Sequence, residues 1–490
     1  MTKIIMKKLL LIFTAVCLAV SCAQETKTEK PELRFREDGT FKIAQFTDLH
    51  WSEDRPEAVE IIKSVVRDVT KAEQPDVVIF TGDVITTDPA EAGWRHLISL
   101  MAELGVPYAV TLGNHDPEFD LTREQIFDIL ETDPLFLGEK GPAEISGVGN
   151  YVLEVKASDG SDVNKALLYC FDSNDYTPSR KDFGYYGWFE RDQIQWYLDE
   201  SAKYTAANGG TPVNALSFFH MALPEFKLID PADRLGDFYE PICSPDLNTG
   251  MFQAMRFSGD IMGVFIGHDH CNDFIGKYYE IALGYGRRTQ WDEDDVENGG
   301  RIIVLKENER SFETYCTTPK YGKEYTYFYP AGLPEHTYGK KLPAKAVNPK
   351  NKGVSYKYYE GNITSPLKLA KEGKLVDKGT MSDIIVNKAP VDDHYGYEFD
   401  AYLNVPSDNF YRFVADFDDG AAVYIDGVEL MNSEGMHSGI TLAGSICLEK
   451  GFHDLKVYFF ENYSGERLNL SIESIDIPRQ IIPSDMLYVK

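Results

Sequence analysis

Five short polar segments of this sequence contain residue types that bind metal ions, and each follows a run of apolar residues. The richest is Gly113-Asn114-His115-Asp116, directly after Tyr108-Ala109-Val110-Thr111-Leu112. In chain order, the other four segments contribute Asp48 with His50, then Asp83, then His220, and finally His268 with His270. Carboxylate, imidazole and amide groups are ligands for zinc, manganese and iron. The residue types therefore predict a metal site, if the fold brings the segments together.

The apolar runs before these segments predict buried strands that end where the polar residues begin. In open α/β sheets, ligands bind beyond the carboxyl ends of the strands, so five such segments can meet at one place. Between the runs, helical spacing predicts helices at 90–104, at 122–130 with Thr122 as N-cap, and at 189–204. This alternation predicts an α/β sandwich for the first part of the chain.

The composition changes near residue 320, where Pro, Lys, Gly and Tyr replace the periodic pattern. This change predicts a linker. Beyond it, alternating apolar residues predict strands at 397–403, 410–417, 422–425 and 455–460. Asp418-Asp419-Gly420 and Asp426-Gly427 are predicted as turns between them. We therefore expect a β-sandwich in the second part of the chain.

The net charge restricts the kinds of partner. A formal charge of −29 over 490 residues argues against a nucleic acid or an anionic membrane surface held by electrostatics. A small anionic substrate is still possible, because bound dications would attract it locally.

The N-terminus has the pattern of an export signal. Lys7 and Lys8 precede an apolar run at 9–20, which is too short for a transmembrane helix. Ala19-Val20-Ser21-Cys22 resembles a bacterial lipoprotein box, in which Cys22 would be lipidated; the alternative is an ordinary signal peptide cut near Ala23. We expect a cell-envelope protein anchored to the membrane, facing the periplasm or the cell surface. Outside the signal segment, which contains Cys17 and Cys22, the chain has five cysteines. Their spacing shows no disulfide framework.

The five polar segments, taken in order, resemble a known family. The series Asp-x-His, Gly-Asp, Gly-Asn-His-Asp, His and Gly-His-x-His resembles the calcineurin-like metallophosphoesterases over about residues 40–315, and within them the purple-acid-phosphatase-like group. The resemblance implies a β-sandwich flanked by helices, in α/β/β/α layers. It also implies hydrolysis of a phosphoester by a metal-bound hydroxide at a dinuclear centre.

The resemblance also implies a role for each residue. One metal would be held by Asp48, His50, Asp83 and His270, and the other by Asp83, Asn114, His220 and His268. His115 would protonate the leaving oxygen, and Asp116 is expected to orient His115. Thr86 stands where purple acid phosphatases have their iron-binding tyrosine, so we expect no tyrosinate colour. The metals are left open between iron, manganese and zinc.

Substrate contacts are less specific in the sequence. The aromatic segment 182–188, which includes Tyr186, is expected either to line the cleft or to pack on the sandwich. Arg287 is expected either to bind a phosphate oxygen or to lie in a solvated surface pair with Arg288.

The second part of the chain resembles the protective-antigen-type β-sandwich. The resemblance is carried by the segments at 353–361, 417–420, 423–427 and 451–453 and by the closing residues 482–488. Some relatives bind sugars, and adhesin members hold calcium with paired aspartates. Asp418 and Asp419 are therefore candidate calcium ligands, although acidic turns are also common for conformational reasons. A glycan partner is expected from the resemblance, and a structural accessory role is the alternative.

These observations divide the chain into five segments. We predict a signal peptide with lipobox at 1–22, a tether at 23–38, the phosphoesterase domain at 39–318, a linker at 319–350 and the β-sandwich at 351–490. The predicted function is hydrolysis of a phosphomonoester or phosphodiester. The alternative is a surface glycan-binding lipoprotein with the phosphatase domain as scaffold.

Overall fold

The computed structural model describes residues 30–290, 297–320, 322–332, 341–386, 389–433, 435–463 and 465–490. The predicted signal peptide, with Cys22, lies outside these ranges, as does the first part of the predicted tether. Within them, no helix is both long and apolar enough to cross a bilayer.

The first part of the chain alternates strands with helices. The strands are β1 (Leu33–Arg34), β2 (Thr40–Phe46), β3 (Val77–Thr81), β4 (Tyr108–Thr111), β5 (Tyr151–Lys156), β6 (Asn164–Cys170), β7 (Ala215–Phe218), β8 (Ile261–Ile266), β9 (Ile275–Tyr278), β10 (Ile281–Tyr285), β11 (Gly300–Lys306), β12 (Phe312–Thr318) and β13 (Gly322–Tyr329). The helices are α1 (Pro56–Glu73), α2 (Ala90–Leu104), α3 (Arg123–Leu130), α4 (Arg180–Phe183), α5 (Arg191–Ala207) and α6 (Met251–Ser258). Helix α2 has the predicted bounds, and Thr122 caps α3 in a capping box with Gln125.

Two β-sheets form the centre of this part. The seven-stranded sheet has the order β1-β5-β6-β7-β8-β10-β9, and the six-stranded sheet has the order β13-β12-β11-β2-β3-β4. A core containing Phe46 of one sheet and Phe265 of the other joins them. A second core packs α5 and α6, through Tyr197 and Met255, on the seven-stranded sheet, and α1 contacts the six-stranded sheet. The predicted α/β/β/α layers are confirmed.

Parallel strands in each sheet end on the same side. In the six-stranded sheet, β2, β3 and β4 are parallel neighbours. In the seven-stranded sheet, β6, β7, β8 and β10 are parallel neighbours. Because the carboxyl ends of parallel neighbours share one edge of a sheet, the loops that follow these strands lie together.

The second part of the chain is almost entirely β. Its strands are β14 (Val354–Glu360), β15 (Lys374–Met381), β16 (Tyr395–Val405), β17 (Asn409–Ile425), β18 (Val428–Asn432), β19 (His437–Leu448), β20 (Gly451–Glu461), β21 (Arg467–Ser474), β22 (Ile477–Ile481) and β23 (Leu487–Val489), and the short helix α7 (Leu369–Glu372) lies between β14 and β15. The strands surround a core that includes Phe399, Phe413 and Val457. The predicted all-β class of this part is confirmed.

Strand β17 overturns one predicted turn. Asp418, Asp419 and Gly420 lie inside it, at the point where it leaves its partners β19 and β21 and pairs with β20. The predicted turn at Asp426-Gly427 is confirmed, because both residues have positive φ, 49° and 82°, between β17 and β18.

Two predicted connecting segments are more ordered than expected. Leu33 and Arg34, assigned to the tether, form β1 beside β5, and both Leu33 and Phe35 are buried. Strand β13 lies inside the predicted linker and pairs with β12. The physical reason is the alternation of Tyr327 and Tyr329, two buried aromatic residues that supply apolar area to the sheet.

Candidate metal centre

The predicted metal ligands lie at the carboxyl end of the two-sheet sandwich. The loops contribute Asp48 and His50 after β2, Asp83 after β3, Asn114 after β4, His220 after β7, and His268 and His270 after β8. Both sheets therefore supply ligands, although β2, β3 and β4 of one sheet are far in the chain from β7 and β8 of the other.

Their side chains form two groups that share Asp83. One group consists of Asp48, His50, Asp83 and His270, and the other consists of Asp83, His220 and His268. In each group, one candidate ligand atom per residue lies within 4.8 Å of those of the other members. The shared carboxylate has two oxygens, so it can contact two cations at once.

Short distances surround Asp83. Its Oδ2 atom lies 3.1 Å from Nε2 of His220 and 3.8 Å from Nε2 of His50. Nε2 of His220 is 3.2 Å from Nδ1 of His268, and Nε2 of His50 is 3.1 Å from Nε2 of His270. Imidazole nitrogens that converge on carboxylate oxygens in this way have the arrangement of ligands around a cation.

Two buried oxygen atoms indicate that a cation fits this arrangement. Asp83 Oδ2 and Asn114 Oδ1 are shielded from solvent and have no hydrogen-bond partner among the residues that the structure describes. A buried polar atom without a partner costs about 1–3 kcal/mol. A cation coordinated by both atoms would remove that cost.

The pKa shifts of three histidines at the site also indicate that a cation fits there. Burial lowers the pKa of His50 and of His268 to about 3, which leaves their nitrogen lone pairs available at neutral pH. Burial also opposes the charged form of His220, but the Asp83 carboxylate outweighs it and raises the pKa of His220 to about 9. A cation bound beside Asp83 would replace the proton on His220.

The loop backbones hold these residues in unusual conformations. Asp48, His50, Asp83 and His268 have positive φ values of 50°, 43°, 48° and 82°. Each non-glycine residue in this region costs on the order of 1–3 kcal/mol and persists only where its surroundings impose it. Such strain is concentrated at functional sites.

Asp116 does not have its predicted role. The residue is fully buried, and its carboxylate accepts hydrogen bonds from the backbone N–H groups of Val84, Ile85 and Gly113, at 2.9, 3.0 and 2.8 Å. It therefore fixes the loop after β4 to the loop after β3. The expectation that it orients His115 is wrong, because these bonds turn it away from that ring.

His115 lies at the edge of the site. Its ring centroid is 5.5 Å from that of His50, and its backbone N–H donates to Asp83 Oδ1 at 2.8 Å. Its side chain is 38% exposed, so a bound substrate could reach it. The acidic partner of its Nδ1 atom is Glu118, at 2.6 Å.

Comparison with known proteins identifies this architecture. The family model described as calcineurin-like phosphoesterase matches residues 41–272, and the PA14 domain model matches residues 350–485. "Probable inactive purple acid phosphatase 14" of Arabidopsis thaliana is 30% identical over 304 residues, which cover 55% of this chain and 75% of that protein. The chain belongs to the calcineurin-like phosphoesterase family.

Two further proteins are similar to this chain. The protein named "Phosphatase DCR2" of Saccharomyces cerevisiae is 29% identical over 327 residues, covering 59% of this chain and about half of its own length, 55%. A solved dimetal phosphatase from Danio rerio has a TM-score of 0.41 and 12% identity, covering 59% of this chain and 98% of its own.

The two predicted substrate contacts of the phosphoesterase differ in outcome. Tyr186 lies at the site, with its ring 4.6 Å from that of His268. Arg287 does not: it is buried, with its guanidinium 2.5 Å from Asp273 and 3.4 Å from Glu324. The prediction that Arg287 binds substrate is wrong, since carboxylates already surround it.

Several contacts of the phosphoesterase site were not predicted. The Nδ1 atom of His220 donates to the Thr81 carbonyl at 2.8 Å, which directs Nε2 towards Asp83. Gln290 lies 3.2 Å from Nδ1 of His270, and Tyr176 contacts Asn114. The position of Glu118, three residues after His115, could have indicated their contact from the sequence. The loops that carry Tyr176 and Gln290 have no sequence pattern that indicates their contacts.

In the PA14 domain, the candidate calcium ligands are buried beside a third carboxylate. Asp418 and Asp419 are almost fully buried, and Glu461 is fully buried. Neither carboxylate oxygen of Glu461 has a hydrogen-bond partner within the described part of the chain. Burial, followed by the charges of Asp419 and Asp418, raises the pKa of Glu461 to about 7.

Proposed function

We propose that this protein is a metal-dependent phosphoesterase that hydrolyses a phosphomonoester, with a phosphodiester as the nearest variant, at a centre of two cations. The observation that carries the proposal is the convergence of Asp48, His50, His220, His268 and His270 on Asp83, together with buried oxygens of Asp83 and Asn114 that accept no hydrogen bond from the described residues. Buried carboxylates and imidazoles at such distances are compensated best by cations.

The two groups assign residues to the two cations. Asp48, His50, Asp83 and His270 would hold one, and Asp83, His220 and His268 would hold the other. The family resemblance and the buried Oδ1 of Asn114, which has no partner among the described residues, add that residue to the second set. When bound, the cations supply positive charge to the phosphoryl group and increase the acidity of water. The available ligands suit iron, manganese or zinc.

The residues of the chain itself would position the substrate and move a proton. His115, at the exposed edge of the site, would protonate the leaving oxygen, a step suited to imidazole. Tyr186, against His268, would shield one side of the bound phosphoester from water. Thr86 carries no phenol, so no tyrosinate–iron absorption is expected.

The alternative function is that of a glycan-binding surface lipoprotein in which the phosphoesterase fold is a scaffold. The Arabidopsis relative is named inactive, and its name gives this alternative weight. Against it, every predicted metal ligand is present in this chain and lies at the site. Loss of ligands is what an abandoned catalytic centre would show.

Hydrolysis after chelation tests the proposal. The chain from Ala23 onward is stripped of metal and then supplied with manganese, zinc or iron, and a matched aryl phosphate monoester and diester are assayed. We expect turnover that returns only with metal and is faster for the monoester. Two bound cations with no turnover of either ester would favour the scaffold alternative.

The remaining expectations stay predictions. We propose calcium at Asp418 and Asp419, and a glycan as ligand of the PA14 domain. The buried Glu461 beside the two aspartates would add a third carboxylate to the calcium site, so a rise in thermal stability on calcium addition that Glu461→Gln abolishes would test the first proposal. Lipid attachment at Cys22, with location in the cell envelope, is tested by incorporation of labelled palmitate into the wild-type chain and into Cys22→Ala. No nucleic-acid partner is expected.

A further inference from the structure

A chain of hydrogen bonds joins His115 to Asn114 through two residues of no assigned role. Nδ1 of His115 lies 2.6 Å from Oε2 of Glu118, and the other carboxylate oxygen, Oε1, accepts the Tyr176 hydroxyl at 2.6 Å. The same hydroxyl oxygen accepts from the Asn114 amide nitrogen at 3.0 Å. Both ends of the chain are residues that the proposed mechanism uses.

The donor and acceptor types fix the orientation at each end. A carboxylate only accepts, so the Nδ1 atom of His115 must carry a proton and donate it to Glu118. The proton that His115 would give to the leaving oxygen is therefore the second ring proton, on Nε2, of the imidazolium form. Nε2 is then the atom that faces away from Glu118. At the other end, Asn114 uses its NH2 group towards Tyr176, which directs Oδ1 into the buried position where it has no protein partner.

Tyr176 is itself held in place. Its ring lies 5.2 Å from Tyr185 and 6.3 Å from Tyr186, and Tyr186 packs at 4.6 Å against His268. Arg180 covers Tyr185 at 4.4 Å. The segment around residues 176–186 therefore fixes the hydroxyl between Glu118 and Asn114, and it contacts His268 through Tyr186.

We propose that Glu118 and Tyr176 are positioning residues: Glu118 sets the tautomer and direction of His115, and Tyr176 links that orientation to the metal-facing oxygen of Asn114. The proposal rests on the proposed phosphoesterase function. It gives His115 an acidic partner at i+3 in place of Asp116.

A simple surface ion pair is the competing explanation. The side chains of His115 and Glu118 are 38% and 37% exposed, and exposed pairs of this kind contribute little to stability. A surface pair, however, does not account for the second oxygen of Glu118, which is engaged by a hydroxyl that also contacts a predicted ligand.

Leaving-group dependence separates the two explanations in the full chain loaded with metal. For Glu118→Ala, we expect kcat to fall about tenfold for phenyl phosphate, a poor leaving group, and less than threefold for dinitrophenyl phosphate. The metal content should be unchanged. In the His115→Ala background, adding Glu118→Ala should have no further effect, because the residues act as one unit. Equal losses for both substrates would overturn the proposal.

Tyr176→Phe tests the other end. The variant retains the ring and removes the hydroxyl. We therefore expect weaker binding of the cation at Asn114, measured as metal retained after dialysis. The difference between the kcat losses for phenyl phosphate and dinitrophenyl phosphate should be smaller than in Glu118→Ala. Unchanged retention would overturn the link to Asn114. His96→Ala, which removes an exposed histidine–glutamate pair with Glu53 at 2.7 Å, is the matched control and should change neither quantity.

A spectroscopic measurement keeps this proposal distinct from the proposed function. In the zinc-loaded protein labelled with ¹⁵N-histidine, the His115 ring should carry its proton on Nδ1, with the signal assigned by its absence in His115→Ala. Glu118→Ala should remove or shift this signal. A proton on Nε2 alone in the wild-type chain, or a signal indifferent to Glu118→Ala, would refute the positioning role even if the enzyme is active. A proton on Nδ1 of His115 that depends on Glu118, in a metal-loaded protein that hydrolyses no phosphoester, would instead refute the proposed phosphoesterase function.

Discussion

At the residue scale, the site depends on groups that are costly unless something is bound. Asp83 and Asn114 each bury an oxygen without a partner, and Asp48, His50, Asp83 and His268 adopt left-handed backbone conformations. Each feature costs on the order of 1–3 kcal/mol. A protein with only marginal stability tolerates such costs where ligand binding offsets them.

Gly82 shows how closely the backbone approaches these groups. Its φ is +90°, and a Cβ atom there would lie 2.6 Å from Cγ of His220, closer still to Nδ1, and 2.8 Å from Cα of Gly113. We expect Gly82→Ala to displace His220 and reduce the metal content of the purified chain, measured by elemental analysis.

Gly160 is the matched control for this substitution. Its φ is +85°, nearly the same, but a Cβ atom there would have no neighbour within 4 Å. Gly160→Ala should therefore carry only the conformational cost, about 1 kcal/mol, and keep its metal. Equal metal loss in both variants would mean that backbone strain, and not contact with His220, governs binding.

At the element scale, the sequence predicts best those helices, caps and strands that are determined by residues near one another in the chain. Helix α2 and the cap at Thr122 were predictable because spacing and capping are local. The strands before each polar segment were predictable as apolar runs of the right length. The ligand set followed from motif resemblance, and the parallel strand ends explain why those motifs meet.

The failures have non-local causes. Asp418-Asp419-Gly420 has turn composition, yet pairing with β19 and β20 keeps it extended within β17. Arg287 follows a strand end like the ligands do, but Asp273 binds it inside the protein. Asp116 was assigned to His115 by adjacency, whereas the folded loops give its oxygens three backbone donors. Apart from Gly113, which is three residues before Asp116, none of these partners is a close neighbour in sequence of the residue that it holds.

At the scale of the whole molecule, the phosphoesterase part and the PA14 domain are in contact. Arg479 of β22 binds Asp233 at 2.7 Å, and a cavity of about 340 Å³ is lined by Asp237, Arg287 and Glu324 on one side and by Leu430 and Leu442 on the other. More carboxylates than cations line this junction, so its stability should depend on pH.

Asp237 is the group that we expect to report this dependence. The charged and titratable groups around it are Asp273, Arg287, Tyr325, Glu324 and Tyr239. Burial, followed by the charge of Asp273, raises the pKa of Asp237 to about 7. A raised acid pKa means that the folded state binds the proton more tightly, so stability is lost as the pH rises from about 4 through about 7.

Urea unfolding at pH 5 and pH 8 measures the effect. Asp237→Asn should reduce the loss of unfolding free energy between these pH values by on the order of 2 kcal/mol, relative to the wild-type chain. The exposed Asp199→Asn variant should behave as wild type. A pH dependence that is the same in all three chains would exclude Asp237 as its source.

The count of bound metal ions tests the central claim most directly. The wild-type chain and Asp83→Asn, with the exposed Asp68→Asn as control, are each supplied with excess manganese or zinc, desalted and analysed for metal per chain. Because Asp83 joins both ligand groups, we predict two ions in the wild-type and Asp68→Asn chains and loss of both in Asp83→Asn. Two tightly bound ions in Asp83→Asn, or fewer than two in the wild-type chain, would contradict the dinuclear site.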